Sequence, residues 1–210
     1  MAARPSDSAE SPLSLVERKQ RAARARIVEA ADALFDERGF DAVSVTDIAE
    51  RAEVGRTTFF RLFGDKTEVV FAREQAVHEA VRSATTGSWA AGRPIDTLGG
   101  ALRALEPIVL EACRQATADR AAFRRHTRLL EAHEELGARD ALKNQAIASE
   151  LASALVAQGA ARETATLAAQ LAVACYTGGR LLAGARGDIV AQTRAAFRQA
   201  LQMGPIDADA

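Results

Sequence analysis

Cysteine is nearly absent: Cys113 and Cys175 stand alone in 210 residues, with no CxxC spacing, inside apolar helical patterns. They are expected to be reduced core residues of a cytosolic protein rather than parts of a disulfide or metal framework. Histidine is as scarce, and His78, His126 and His133 lack the i, i+4 spacing of helical zinc ligands. No apolar run approaches the ~20 residues that span a bilayer. The first twelve residues, MAARPSDSAESP, lack the apolar stretch of a signal peptide and read as a disordered tail. Strand-like alternation is missing throughout. So are a nucleophile elbow, a paired-carboxylate signature and a dinucleotide fingerprint. Gly64-Asp65-Lys66-Thr67 is superficially like a phosphate loop, but Asp65 interrupts the Gly-Lys pair and Phe59 stands where the upstream glycine would be. Neither an enzyme nor a cofactor is expected. The net charge of -1 supplies no global attraction to nucleic acid, so any such affinity has to be local.

What the chain does contain is helical periodicity and a cluster of phenylalanines. Hydrophobic residues make up 48% and charged residues 26%, the balance of a soluble globular protein. Six of the eight phenylalanines (Phe35, Phe40, Phe59, Phe60, Phe63, Phe71) fall within one short segment, enough to give a small module a core. A first helix is predicted from Lys19 to Arg38, with Ala23, Ile27, Ala31, Leu34 and Phe35 on one stripe and Gly39 as its stop. From Ser44 to Lys66 the sequence reads as two short helices. Ser44 and Asp47 form a capping box, and Ile48, Ala49 and Ala52 face inward. The second begins at Arg56 and turns Phe59, Leu62 and Phe63 inward, leaving Arg56, Thr57, Phe60 and Arg61 outside. A helix with a polar outer face at its N-terminal end suits entry into a DNA major groove.

These residues resemble the tetracycline-repressor-like (TetR-family) transcriptional regulators, through Ile48-Ala49, Ala52, Val54, Thr58-Phe59, Phe63 and Lys66. The resemblance covers roughly residues 22 to 72. Three positions depart from the family pattern. Glu53 stands in place of a turn glycine, at a cost of about 1–2 kcal/mol if φ is positive. Gly55 replaces a capping serine, worth a few tenths of a kcal/mol. Phe60 replaces a tyrosine, removing a hydroxyl and favouring contact with a thymine methyl. The resemblance implies base contacts from Arg56, Thr57, Phe60 and Arg61. Backbone or groove-wall contacts would come from Val45, Thr46, Thr58, Lys66 and the run Arg18, Lys19, Arg21 and Arg24. Cations at a helix N-terminus oppose the macrodipole, and a phosphate would relieve that conflict.

An all-α chain is therefore expected, divided as a disordered tail (1–17), a helix-turn-helix domain (18–64), a helical ligand-binding and dimerisation domain (65–203) and a frayed tail (204–210). A fourth helix should start at Asp65, capped with Glu68, and run through Val70, Val77 and Val81 as the lever between domains. Thr85 to Pro94 reads as a hinge. Further helices are predicted at about 95–116, 119–135, 139–158, 162–184 and 188–203. The last two are apolar enough to pair with their copies in a homodimer through Leu167, Leu171, Cys175, Gly178, Leu182, Ile189, Thr193, Phe197, Ala200 and Leu201. Trp89, Leu105, Ile108, Val109, Cys113, Phe123, Leu130 and Tyr176 could line an effector cavity, with Arg114, His126 or Arg128 as polar anchors; taken singly, each is better explained by core packing. The reading is a ligand-responsive regulator, a repressor released from a palindromic operator by a small, lipophilic or aromatic molecule. The competing readings are a helical carrier or enzyme with an inert DNA-binding relic, and a protein-interaction module.

Overall fold

The structure, a computed structural model, describes residues 14–202 except 88, 91 and 93. Among the described residues it is all-helical, as expected, and it divides into two compact units, 1–70 and 71–210. The expected tails at 1–13 and 204–210 lie outside the described residues.

The first unit holds α1 (Leu15–Arg38), α2 (Val45–Arg51), α3 (Arg56–Phe63) and α4 (Lys66–Val70). α1 starts earlier than predicted because Ser14 and Glu17 form a capping box, the serine hydroxyl accepting from the Glu17 N–H at 3.2 Å and the carboxylate accepting from the Ser14 N–H at 2.8 Å. Residues 15–17, expected in the tail, are thus helical. Ile27, Ala31, Leu34 and Phe35 of α1, Ile48 and Ala49 of α2, and Phe59 and Phe63 of α3 are buried together with Phe40 and Val43. The unit closes after Val70 rather than Gly64, since α4 packs on α1 and α3 and buries Val69.

The second unit holds α5 (Glu74–Ala84), α6 (Leu98–Ala116), α7 (Arg120–Ala132), α8 (Glu134–Ala157), α9 (Arg162–Ala183) and α10 (Ile189–Gln202). The single fourth helix predicted from Asp65 is two helices, α4 and α5, separated by a turn at residues 71–73. α8 begins five residues before the predicted 139, directly after His133 adopts an extended conformation (φ -128, ψ 110) that breaks α7 from it. Leu102 and Leu105, Leu151 and Leu155, the alanines 165, 168, 169 and 172, and Phe197 form one core from α6, α8, α9 and α10. Small residues set the spacing. At Gly179 an added Cβ would lie 2.7 Å from the backbone N and Cα of Thr193, so α9 and α10 cross with no room for a side chain.

α8 and α9 are also joined by charge. Asp140 is paired with Arg180 through two hydrogen bonds, one of 3.1 Å, and Asn144 donates to the same carboxylate at 3.1 Å. The Asp140 and Arg180 side chains are only 8% and 16% exposed, so removing one partner would strand a charge in the interior.

Candidate nucleic-acid interface

The turn and caps set the angle between α2 and α3. The Ser44 hydroxyl accepts from the Asp47 N–H at 3.2 Å, and the Asp47 carboxylate accepts from the Ser44 N–H at 2.8 Å. Hydrogen bonds from the Ser44 side chain and backbone hold the Asp47 carboxyl below the usual carboxylate range. α2 ends at Arg51 with Ala52 as its cap, and Glu53 follows with φ at 52°, the left-handed conformation that the family pattern assigns to glycine. The Val54 N–H then closes back on the Ala49 carbonyl at 3.0 Å. Gly55 caps α3 in an extended conformation with no side-chain hydrogen bond.

A residue with a Cβ at φ 52° is strained by about 1–2 kcal/mol, whereas glycine adds about 0.4–1 kcal/mol of unfolded-chain entropy. Glu53→Gly is therefore expected to stabilise the first unit by about 0.5–1 kcal/mol, and Glu53→Val to destabilise it. Urea unfolding followed by circular dichroism measures both, and a less stable glycine variant would contradict the strain argument.

α3 is anchored on one face and bare on the other. Phe59 is fully buried and Phe63 nearly so, while Arg56, Thr57, Phe60 and Arg61 are exposed. The Phe60 ring, 45% exposed, stands edge-on to Phe59 at 5.8 Å, and the Arg56 guanidinium lies 6.0 Å from the Phe60 centroid. The aromatic ring is thus propped from beneath and leaves its outer side, with Arg56 beside it, for a partner. Arg18, Lys19 and Arg21 are exposed on the first turns of α1; Val45, Thr46 and Thr58 are half-buried.

Two cations assigned to DNA by sequence have other work. Arg24 donates to the Leu62 carbonyl at 2.9 Å and lies over the Phe63 ring at 4.2 Å. It therefore caps the C-terminal end of α3, where a positive charge complements the helix dipole. Lys66 donates to the carbonyls of Phe40 and Val43 at 2.9 and 3.0 Å and sits over the Phe40 ring at 4.2 Å. It holds the loop between α1 and α2. In this structure both have a structural role. Arg51, which sequence reasoning passed over, makes a two-bond pair with Glu37 at 2.6 and 2.7 Å that fixes the end of α2 against α1.

In the second unit, the anticipated dimer residues separate into two groups. Ile189, Thr193 and Phe197 are at most 1% exposed and Cys175 is 5% exposed, buried within this one chain. A side chain already covered by its own subunit offers nothing to a second copy, so these four are corrected to core. Leu167 and Leu182 remain 56% and 72% exposed, with Leu171, Gly178, Ala200 and Leu201 half-buried. On α9 the exposed or half-exposed Leu167, Leu171, Ala174, Gly178 and Leu181 share one helical face, opposite the buried alanines. Leu142 and Val156 are exposed on the adjacent α8, and the side chains of Gln145 and Gln170 meet at 3.4 Å across the two helices. Leu181 was missed because it lies one residue off the expected Leu182, and Leu142 and Val156 because they belong to α8, which periodicity alone does not place beside α9.

The anticipated effector residues fare similarly. Leu105, Ile108, Val109, Cys113 and Phe123 lie in the core cluster with Trp89 and Tyr176 packed against it. Leu130 is half-buried. Arg114 is exposed and paired with Glu111 at 2.8 Å, and Arg128 is exposed with its Nε on the Arg124 carbonyl at 3.3 Å; neither is an interior anchor. His126 lies edge-on to Phe71 at 5.5 Å, and the Lys143 ammonium approaches that same ring at 5.0 Å. Burial pushes the Cys113 thiol up from its ordinary value. Two buried polar atoms, the Trp89 indole nitrogen and the Thr127 hydroxyl, have no hydrogen-bond partner among the described residues. Among the described residues no group of three metal-ligating side chains converges, and no helix is long and apolar enough to cross a membrane.

Comparison with known proteins gives these features a context. Residues 27–72 match the family described as bacterial regulatory proteins, tetR family. Over 91 residues the chain is 36% identical to the HTH-type transcriptional regulator TcmR of Streptomyces glaucescens, a match spanning 43% of this chain and 40% of that protein. The chain thus spans less than half the length of this curated relative. Among solved structures, Thermus thermophilus FadR in complex with lauroyl-CoA aligns with a TM-score of 0.57 at 23% identity, covering 89% of this chain and 98% of that one. SmeT, the repressor of the Stenotrophomonas maltophilia multidrug efflux pump SmeDEF, has a triclosan complex that aligns with a TM-score of 0.57 at 19% identity, covering 86% of this chain and 90% of that one. Likeness at such identities speaks for the fold alone.

Proposed function

We propose that this chain, a TetR-family transcriptional regulator by the sequence of its first unit, is a homodimeric repressor that binds a palindromic operator and is released by a small molecule. The observation that carries the reading is α3. Its inner face is locked by Phe59 and Phe63, while Arg56, Thr57, Phe60 and Arg61 stand outward at the N-terminal half, where a recognition helix meets base edges. Arg18, Lys19 and Arg21 supply phosphate contacts from the start of α1, and Thr57 and Thr58 add hydroxyls.

A two-fold operator calls for a two-fold protein. The uncharged α9 face of Leu167, Leu171, Ala174, Gly178 and Leu181, extended by Leu142 and Val156 of α8, supports a second copy as its occupant. The effector sits in the second unit, with the Trp89 N–H and the Thr127 hydroxyl as its hydrogen-bonding partners, because buried polar atoms without partners are rare in a finished core. The lauroyl and triclosan ligands of the two structural neighbours support an apolar compound. Release requires the effector to bind the low-affinity state better than the DNA-bound state, by about 1–3 kcal/mol. The cytoplasm is the compartment where such a regulator meets DNA.

Anisotropy titration of labelled duplex from the DNA flanking the chain's own gene, beside a scrambled duplex, tests the proposal. Preferential binding to the flanking duplex is expected. With about 6–10 phosphate contacts per dimer, affinity should drop about 10³–10⁵-fold between 50 and 200 mM salt. Equal affinity for both duplexes at every salt concentration would overturn it.

A further inference from the structure

A cleft in the second unit, at the edge of its core, gathers positive charge. Its walls include Arg120 and Arg124, one turn apart on α7, and Arg186 from the loop between α9 and α10; Phe123 and Ile189 also line it. Its enclosed space is about 30 Å³, room for about one water, and the rest of it is open to solvent. Three arginines and one carboxylate, Asp188, line it, giving +3 - 1 = +2. Asp188 is itself engaged, accepting from the Ala191 N–H at 3.0 Å as the cap of α10. Arg120, Arg124 and Arg186 are exposed and make no ion pair among the described residues, in contrast to Arg51, Arg82, Arg114 and Arg180, which do.

The loop that carries Arg186 is set rigidly. The Gly184 N–H donates to the Arg180 carbonyl at 2.9 Å and the Gly187 N–H to the Ala183 carbonyl at 2.8 Å, closing the end of α9. A Cβ on Gly187 would lie 2.4 Å from the Ala183 oxygen, so only glycine fits there. The backbone at Arg186 is therefore fixed beside the cleft. Clustering three like charges around a concavity costs free energy that a bound dianion would offset, and planar guanidiniums match phosphate oxygens two at a time.

We propose that this cleft binds the phosphate or pyrophosphate group of a small molecule. The site stands independently of the DNA-reading proposal, since all its residues belong to the second unit.

Isothermal titration of the full chain with sodium pyrophosphate at constant ionic strength tests it. Saturable binding of one pyrophosphate per chain is expected, weakened roughly tenfold by Arg124→Gln and roughly a hundredfold by Arg124→Gln with Arg186→Gln. Arg120→Gln gives an independent single-site loss of similar size, and Arg103→Gln, an exposed arginine of α6 that does not line the cleft, should bind as the parent does. These side chains are exposed, so melting temperatures without pyrophosphate should be unchanged. Absence of binding, undiminished binding in the double variant, or equal loss in Arg103→Gln would overturn the site. So would a cleft that takes up only duplex DNA, read as no competition by pyrophosphate.

Discussion

Arg56→Ala is expected to abolish discrimination between operator and random duplex while leaving the melting temperature unchanged. Arg56 is the first residue of α3 and is exposed, and its guanidinium rests beside the Phe60 ring rather than against a carboxylate. With no ion-pair partner among the described residues, it can offer both donor edges to a guanine, a contact worth about 1–3 kcal/mol. A two-fold dimer uses it twice. The total is about 2–6 kcal/mol, or roughly 30-fold to 10⁴-fold in affinity for the operator. Arg56→Lys should recover little of this, because an ammonium is a point charge and cannot form the paired contact. Phe60→Ala should give a smaller loss by removing the ring that holds the guanidinium sideways and the apolar surface offered to a thymine methyl. Anisotropy titrations with operator and scrambled duplex separate the outcomes. If Arg56→Ala weakens both duplexes equally, the arginine is a phosphate contact and base reading resides elsewhere.

The features legible in sequence were those set by neighbours within a few residues. The Ser44–Asp47 capping box, the inward pair Phe59 and Phe63, and the strained turn at Glu53 all follow from local spacing and backbone sterics. The start of α1 was legible too, in Ser14 and Glu17, but was obscured by the exposed, polar turns that follow. The carbonyl partners of Arg24 and Lys66 are not legible in sequence, for a physical reason. Sequence gives the sign of a charge, whereas their partners are carbonyls 38 and 26 residues away, which no local pattern encodes. The Asp140–Arg180 pair, 40 residues apart, is invisible for the same reason. Periodicity also says that α10 buries a stripe without saying against what. Ile189, Thr193 and Phe197 bury it against α6 and α9 of their own chain, and only coordinates distinguish that from burial against a partner.

That distinction determines how the dimer can be broken. Leu167→Glu combined with Leu181→Glu is expected to leave a folded monomer. Both side chains are open to solvent in the single chain, at 56% and 81% exposure, so the substitutions remove no contact within the protomer. Across a two-fold interface they place four carboxylates where four leucines would be buried, each leucine contributing about 1.5–3 kcal/mol. Loss of the second reading head then removes the intramolecular step in operator binding, weakening it by about 10²–10⁴-fold with Arg56 intact. Phe197→Ala acts on the other link of the chain: its ring is fully buried, and about 3–5 kcal/mol of protomer stability should go first, with dimer loss as a consequence. Sedimentation analysis beside thermal melting tells the two apart. A double-glutamate chain that still sediments as a dimer would rule out the α9 face as the contact, whatever the fate of DNA binding.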